Sequence, residues 1–113
     1  MNRLMLRERD LAVLRRTLAR FPFVSAAWVF GSRATGSARR ASDLDVAVSA
    51  PGADGRQWAD LCGALEEAPL IYELDVVRVE RAANFRLQAK IARDGVRVFP
   101  VDAPDPAGSG VAA

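Results

Sequence analysis

The chain has 113 residues, 50% of them hydrophobic and 27% charged, with a formal charge of +2, the composition of one globular domain around a single core. It holds one cysteine and no histidine, which excludes an internal disulfide, a histidine triad or general base and a His-containing zinc site; any chemistry must come from carboxylates and a metal. No apolar run suits a spanning helix or a signal peptide, so a cytoplasmic protein without a membrane partner is expected, and the modest charge gives little support to direct nucleic-acid binding.

Residues 4–20 predict an amphipathic helix, with Leu11, Leu14, Leu18 and Phe21 along one face. Pro22 closes it, because the residue before a proline avoids the α region. All but one of the 16 basic residues are arginine, and Arg15, Arg16, Arg20, Arg33, Arg39 and Arg40 crowd the first third. A solvated helix face and loop account for such a run; the sharper alternative is that some of them face an anionic ligand or an acidic partner. Residues 24–30 form a near-continuous apolar run ending at a glycine, the pattern of a strand covered on both faces, with Trp28 and Phe30 as core.

A polar connection over residues 31–42 follows, with a helical turn at 33–35. Residues 43–49 read as a second strand, with Leu44, Val46 and Val48 on one face and Asp43, Asp45 and Ala47 on the other. Pro51 and Gly52 break the chain. A helix over about 53–67 then brings Trp58, Leu61, Cys62 and Leu65 to one side, with Cys62 read as core. Residues 70–79 read as a third strand, with Glu73, Asp75, Val77 and Val79 opposite Leu74 and Val76. A helix over about 82–93 is expected to turn Phe85, Ala89 and Ala92 inward, with Gly95 as its C-cap. Residues 96–99 read as a short edge strand stopped by Pro100. This leaves 1–100 as the domain and 101–113 as a frayed, disordered tail. Such alternation predicts an α/β (α+β) fold, a small mixed sheet of three to four strands flanked by helices. The first two strands are joined by too short a connection for a crossover helix and should run antiparallel.

The stretch 31–45 carries the chemistry. Gly31 and Ser32 directly follow an apolar run, and ten residues separate Ser32 from Asp43. A Gly-Ser turn lets amides and a hydroxyl approach a phosphate, since no Cβ blocks the way. Carboxylates at i and i+2 on a strand share a face. Such a pair is costly unless a cation lies between, and Mg²⁺ prefers oxygen ligands. Asp75 sits mid-strand among apolar residues, where a lone buried acid is expensive; the bland account is a pairing with Arg78 or Arg97. Beside the second strand it would join Asp43 and Asp45 in holding one or two Mg²⁺ ions. Gly31 and Ser32 would then hold the outer phosphates, and Asp75 would accept a proton from an acceptor hydroxyl. Arg33 is a candidate phosphate contact, and Glu73 reads as surface.

Gly-Ser, ten residues, Asp-x-Asp and an Asp on a later strand resemble the signature of the DNA polymerase β-type nucleotidyltransferase superfamily. The short length, Arg-Ala-x-Gly after Ser32, Ser42 before Asp43, the Leu-Asp-Val-Val strand and the later Ile-Ala-Arg-Asp-Gly-Val make the chain similar to the minimal nucleotidyltransferase (MNT) proteins of prokaryotes. The resemblance implies a nucleotidyltransferase fold that binds a nucleoside triphosphate with Mg²⁺ at Gly31, Ser32, Asp43, Asp45 and Asp75. It also implies a HEPN-domain toxin as partner, with AMP transferred from ATP to a toxin tyrosine, making this chain the antitoxin. The lack of a second domain after the sheet fits an acceptor that arrives on another chain, and leaves no room for the template-binding part of a polymerase. Two alternatives stay open: a non-catalytic module that neutralises its partner by stoichiometric contact, and a dimeric small-molecule nucleotidyltransferase.

Overall fold

The computed structural model describes residues 4–81 and 85–101. Along the chain run α1 (Glu8–Ala19), β1 (Ala26–Phe30), α2 (Ser32–Thr35), β2 (Leu44–Ser49), α3 (Gly55–Glu67), β3 (Leu74–Arg78), a 3-10 turn (Val79–Arg81), α4 (Phe85–Asp94) and β4 (Val96–Phe99). The strands form one mixed sheet in the order β3-β2-β1-β4. β1 is antiparallel to both β2 and β4, while β2 and β3 are parallel. The parallel pair is joined through α3, the kind of crossover that parallel strands require.

Side-chain alternation divides the strand residues between two apolar layers. On one face Val29, Val46, Val48 and Val98 pack with Leu14 and Leu18 of α1 and Leu61 and Leu65 of α3, all essentially inaccessible. Each such leucine or valine contributes about 1.5–3 kcal/mol relative to leaving it exposed. On the other face Phe30 and Ala47 pack with Ile91 of α4, joined by Leu87, Trp28, Val77 and Val79. β1 is therefore covered on both sides, as its unbroken apolar run implies.

The face of α4 overturns an expectation. Phe85 is 84% exposed, Ala89 and Ala92 also face out, and Leu87 and Ile91 turn inward. The helix carries apolar residues on two sides, and the Leu87–Ile91 pair at i and i+4 buries more area on Phe30 and Ala47 than two alanines could. The expected start of this helix at residue 82, like the tail 102–113, lies outside the described residues.

Boundaries shift for local reasons. α1 begins at Glu8 rather than residue 4, because the backbone of Met5 is bonded in both directions to Arg33: its N–H donates to the Arg33 carbonyl at 2.7 Å, and its carbonyl accepts from the Arg33 guanidinium at 3.0 Å. Glu8 and Asp10 in the first turn suit the positive end of the helix. α3 opens on a capping box in which Asp54 accepts from the Gln57 amide and the Gln57 side chain accepts from the Asp54 amide, both at 2.8 Å. Cys62 is half-buried rather than core. Gly95 follows α4 without a left-handed turn; its N–H donates to the Ile91 carbonyl at 2.8 Å.

Candidate active site

β1 ends where β2 and β3 begin, and the motif residues gather at that edge. Phe30 lies opposite Asp45, and Asp45 lies opposite Asp75. Both aspartates fall on the α4 side of the sheet, two residues before Ala47 and Val77. Asp43 is exposed just ahead of β2, Asp45 is half-buried and Asp75 is exposed. The N–H of Leu44 donates to the Glu73 carbonyl at 2.8 Å, which ties the starts of the two strands together. Burial pushes the Asp45 carboxyl above its usual range, and the facing Asp75 carboxylate and then Asp43 push the same way. The Lys90 ammonium on α4 opposes them.

Gly31 stands against Asp45. Its φ is +74°, in the region that favours glycine, and a Cβ built there would overlap the Asp45 carboxylate. Ser32 opens the single turn of α2, where the first ladder bonds run from the Ala34 and Thr35 amides to the Gly31 carbonyl, at 3.0 and 3.2 Å. The Ser32 and Arg33 amides thus precede the helical ladder, the position from which backbone N–H groups meet anions. Gly36, at φ 85°, closes the turn. Farther along, the Ser42 hydroxyl accepts from the Arg39 amide at 2.8 Å, and the Ser42 amide donates to the Arg39 carbonyl at 3.0 Å.

Arg33 is only 6% exposed. Its guanidinium donates to the carbonyls of Met5, Arg39, Arg40 and Ser42 and lies over the Tyr72 ring at 4.1 Å from the centroid. Arg78, the partner considered for Asp75, instead donates to the Ala50 and Ala53 carbonyls at 2.6 and 2.7 Å and sits beside Glu80. Of the crowded arginines, Arg15 donates to the Val98 carbonyl at 2.8 Å, while Arg16, Arg20, Arg39 and Arg40 are exposed.

Two neighbours escaped the sequence reading. Asp10 is fully buried in α1, paired with Arg7 at 2.8 Å. That hydrogen bond holds its carboxyl below the usual range against the cost of burial, and Nη2 of Arg7 reaches the other carboxylate oxygen at 3.4 Å. The signal was present, since Asp10 falls on the inward stripe with Leu14 and Thr17. Lys90, the only lysine, offered no sequence signal, because its approach to Asp45 depends on how α4 docks.

Among the described residues no three His, Cys, Asp or Glu side chains are drawn close enough to cage a metal ion. Mg²⁺ does not need such a cage, since it keeps several waters and takes phosphate oxygens beside one or two carboxylates. The mutual repulsion of Asp45 and Asp75 marks where a cation would be stabilising, so the donor set fits. No helix of the described residues is long and apolar enough to cross a membrane.

A sequence model of the polymerase beta nucleotidyltransferase domain matches residues 13–103. A search of curated protein sequences finds no match. Among solved structures, a toxin–antitoxin with AMP-PNP superposes with a TM-score of 0.65 at 25% identity, over 80% of this chain and 73% of that one. A mutant of the toxin–antitoxin MntA-HpeT gives 0.58 at 27% identity, over 81% and 71%. The complex of a tri-AMPylated Shewanella oneidensis HEPN toxin with an MNT antitoxin gives 0.55 at 21% identity, over 81% and 71%, a likeness of fold.

Proposed function

The chain belongs to the polymerase beta nucleotidyltransferase family, and from that premise we propose that it transfers AMP from ATP to a hydroxyl of a protein partner, a tyrosine of a HEPN-type toxin, and so acts as its antitoxin. The observation that carries this reading is the register of the sheet, which sets Asp45 opposite Asp75 and brings Gly31 against the Asp45 carboxylate. Support for the substrate and partner comes from the toxin–antitoxin with AMP-PNP, at 25% identity over most of both chains.

In this mechanism the Ser32 hydroxyl and the first amides of α2 bind the outer phosphates. Asp43, Asp45 and Asp75 would hold Mg²⁺, which when bound neutralises charge on the phosphates and the leaving group. Asp75, the exposed acid of the facing pair, orients the acceptor hydroxyl and takes its proton. The acceptor oxygen bonds to the α-phosphorus, the bond from that phosphorus to the bridging oxygen of the β-phosphate breaks, and pyrophosphate leaves. Lys90 lies on the same side of the sheet and offers a positive charge beside Asp45.

The test is to incubate the purified HEPN-type partner with this protein, ATP and Mg²⁺ and to weigh the partner intact. One or more adenylyl groups should be added by the wild type and none by Asp43→Ala/Asp45→Ala. No addition by the wild type, or equal addition by the variant, would sink the proposal.

A further inference from the structure

One buried side chain touches all three segments that bring the acidic and phosphate-loop residues together. Arg33 follows Ser32 in α2. Its Nε and Nη2 donate to the carbonyl of Ser42, the residue before Asp43, at 3.2 and 2.9 Å. Its flat face stacks on Tyr72, three residues ahead of Asp75, at 4.1 Å from the ring centroid. Nη1 donates to the Met5 carbonyl at 3.0 Å, and Nη2 also reaches those of Arg39 and Arg40 at 3.3 and 3.4 Å.

We infer that Arg33 is a positioning residue rather than a phosphate ligand: clamped on Tyr72, it fixes the spacing of Ser32 from Asp43 and holds both against the strand of Asp75. The inference rests on the nucleotide-binding reading above. The chemistry requires an arginine. A planar guanidinium offers five donors in a fixed fork and leaves its face free for an aromatic ring, whereas an ammonium is a point charge with three donors that cannot span four carbonyls and stack as well. A guanidinium committed in this way has its charge turned into the protein, away from where phosphates arrive.

The experiment compares full-length wild type with Arg33→Lys, Tyr72→Leu, Tyr72→Phe and the Arg33→Lys/Tyr72→Leu double variant. Thermal unfolding establishes that each is folded at the assay temperature. Titration with AMP-PNP and Mg²⁺ should show affinity about tenfold weaker for Arg33→Lys and for Tyr72→Leu, and within about threefold of wild type for Tyr72→Phe, which keeps the ring. The double variant should be no weaker than the worse single one, because both changes break one brace and coupled sites are not additive. Amide hydrogen exchange over residues 31–44 should quicken in Arg33→Lys and Tyr72→Leu while β1 is unchanged. An unaffected Tyr72→Leu beside a weakened Arg33→Lys, or additive losses, would make Arg33 a direct phosphate contact and overturn the inference. Unchanged exchange over 31–44 would overturn it whether or not nucleotide binds. If wild type itself does not bind AMP-PNP, the nucleotide reading fails, and exchange alone decides the brace.

Discussion

At Gly31 the backbone and a carboxylate compete for one small volume. The positive φ and the approach of Asp45 make Gly31→Ala doubly unfavourable, at about 1–3 kcal/mol from the backbone conformation alone. We expect a lowered urea midpoint and loss of adenylyl transfer, since the added methyl must displace Asp45. Asp45 has the opposite relation to stability. Its carboxyl is raised by burial and by Asp75, so the folded chain holds a proton that the unfolded chain has already released, and stability falls as pH rises between the two pKa values. Asp45→Asn should therefore unfold at higher urea than wild type at pH 7 without Mg²⁺, while transfer is abolished; a destabilised variant would contradict this. Asp10 runs the other way. Its lowered carboxyl contributes stability that is present above the unfolded pKa and lost as pH falls through the folded one. Asp10→Asn should cost about 1–3 kcal/mol at neutral pH, a gap that narrows in urea titrations on acidification.

Among the elements, α4 is the one whose pattern misleads. Phe85, Ala89 and Ala92 form a helical stripe as regular as any in the chain, yet the buried side is set by Leu87 and Ile91. Two apolar stripes on one helix cannot be ranked from periodicity, because the choice depends on which side fills the space over Phe30 and Ala47. Ile91→Ala should cost about 2–4 kcal/mol, whereas Phe85→Ala should stay within about 0.5 kcal/mol. Denaturant unfolding of the two variants separates the orientations, and reversed costs would restore the outward side as core. The strands were easier to read. A period of two leaves little freedom once one residue of each is known to face the core, and β2 and β3 alternate as their sequences imply.

Across the whole molecule, the central strands are β2 and β1, with β3 and β4 at the edges. Hydrogen exchange should be slowest in β1 and β2 and faster in β3 and β4; equal protection across all four would argue against this order. The same order places the candidate site at one end of the sheet, where a central strand and an edge strand meet. Asp75 thus stands at an exposed rim, while Gly31 and Asp45 are supported from within. α3 is what brings Asp75 there. Its packing through Leu61 and Leu65 closes the crossover that aligns β3 with β2.

The amino-acid order alone determines the chemistry available. Without histidine, the titratable groups of the motif are carboxylates, and strand alternation, which acts within a few residues, gives the Asp-x-Asp pair one face, whereas Asp75 joins it only through the pairing of β3 with β2. Contacts between distant segments settle the rest. Arg33 reads as one more cation near a phosphate loop until Met5, Ser42 and Tyr72 fold around it. In the same way α4 has two candidate faces until one meets Phe30. A side chain's role depends on what desolvates it and what satisfies its hydrogen bonds, and for these residues both come from segments far away in sequence.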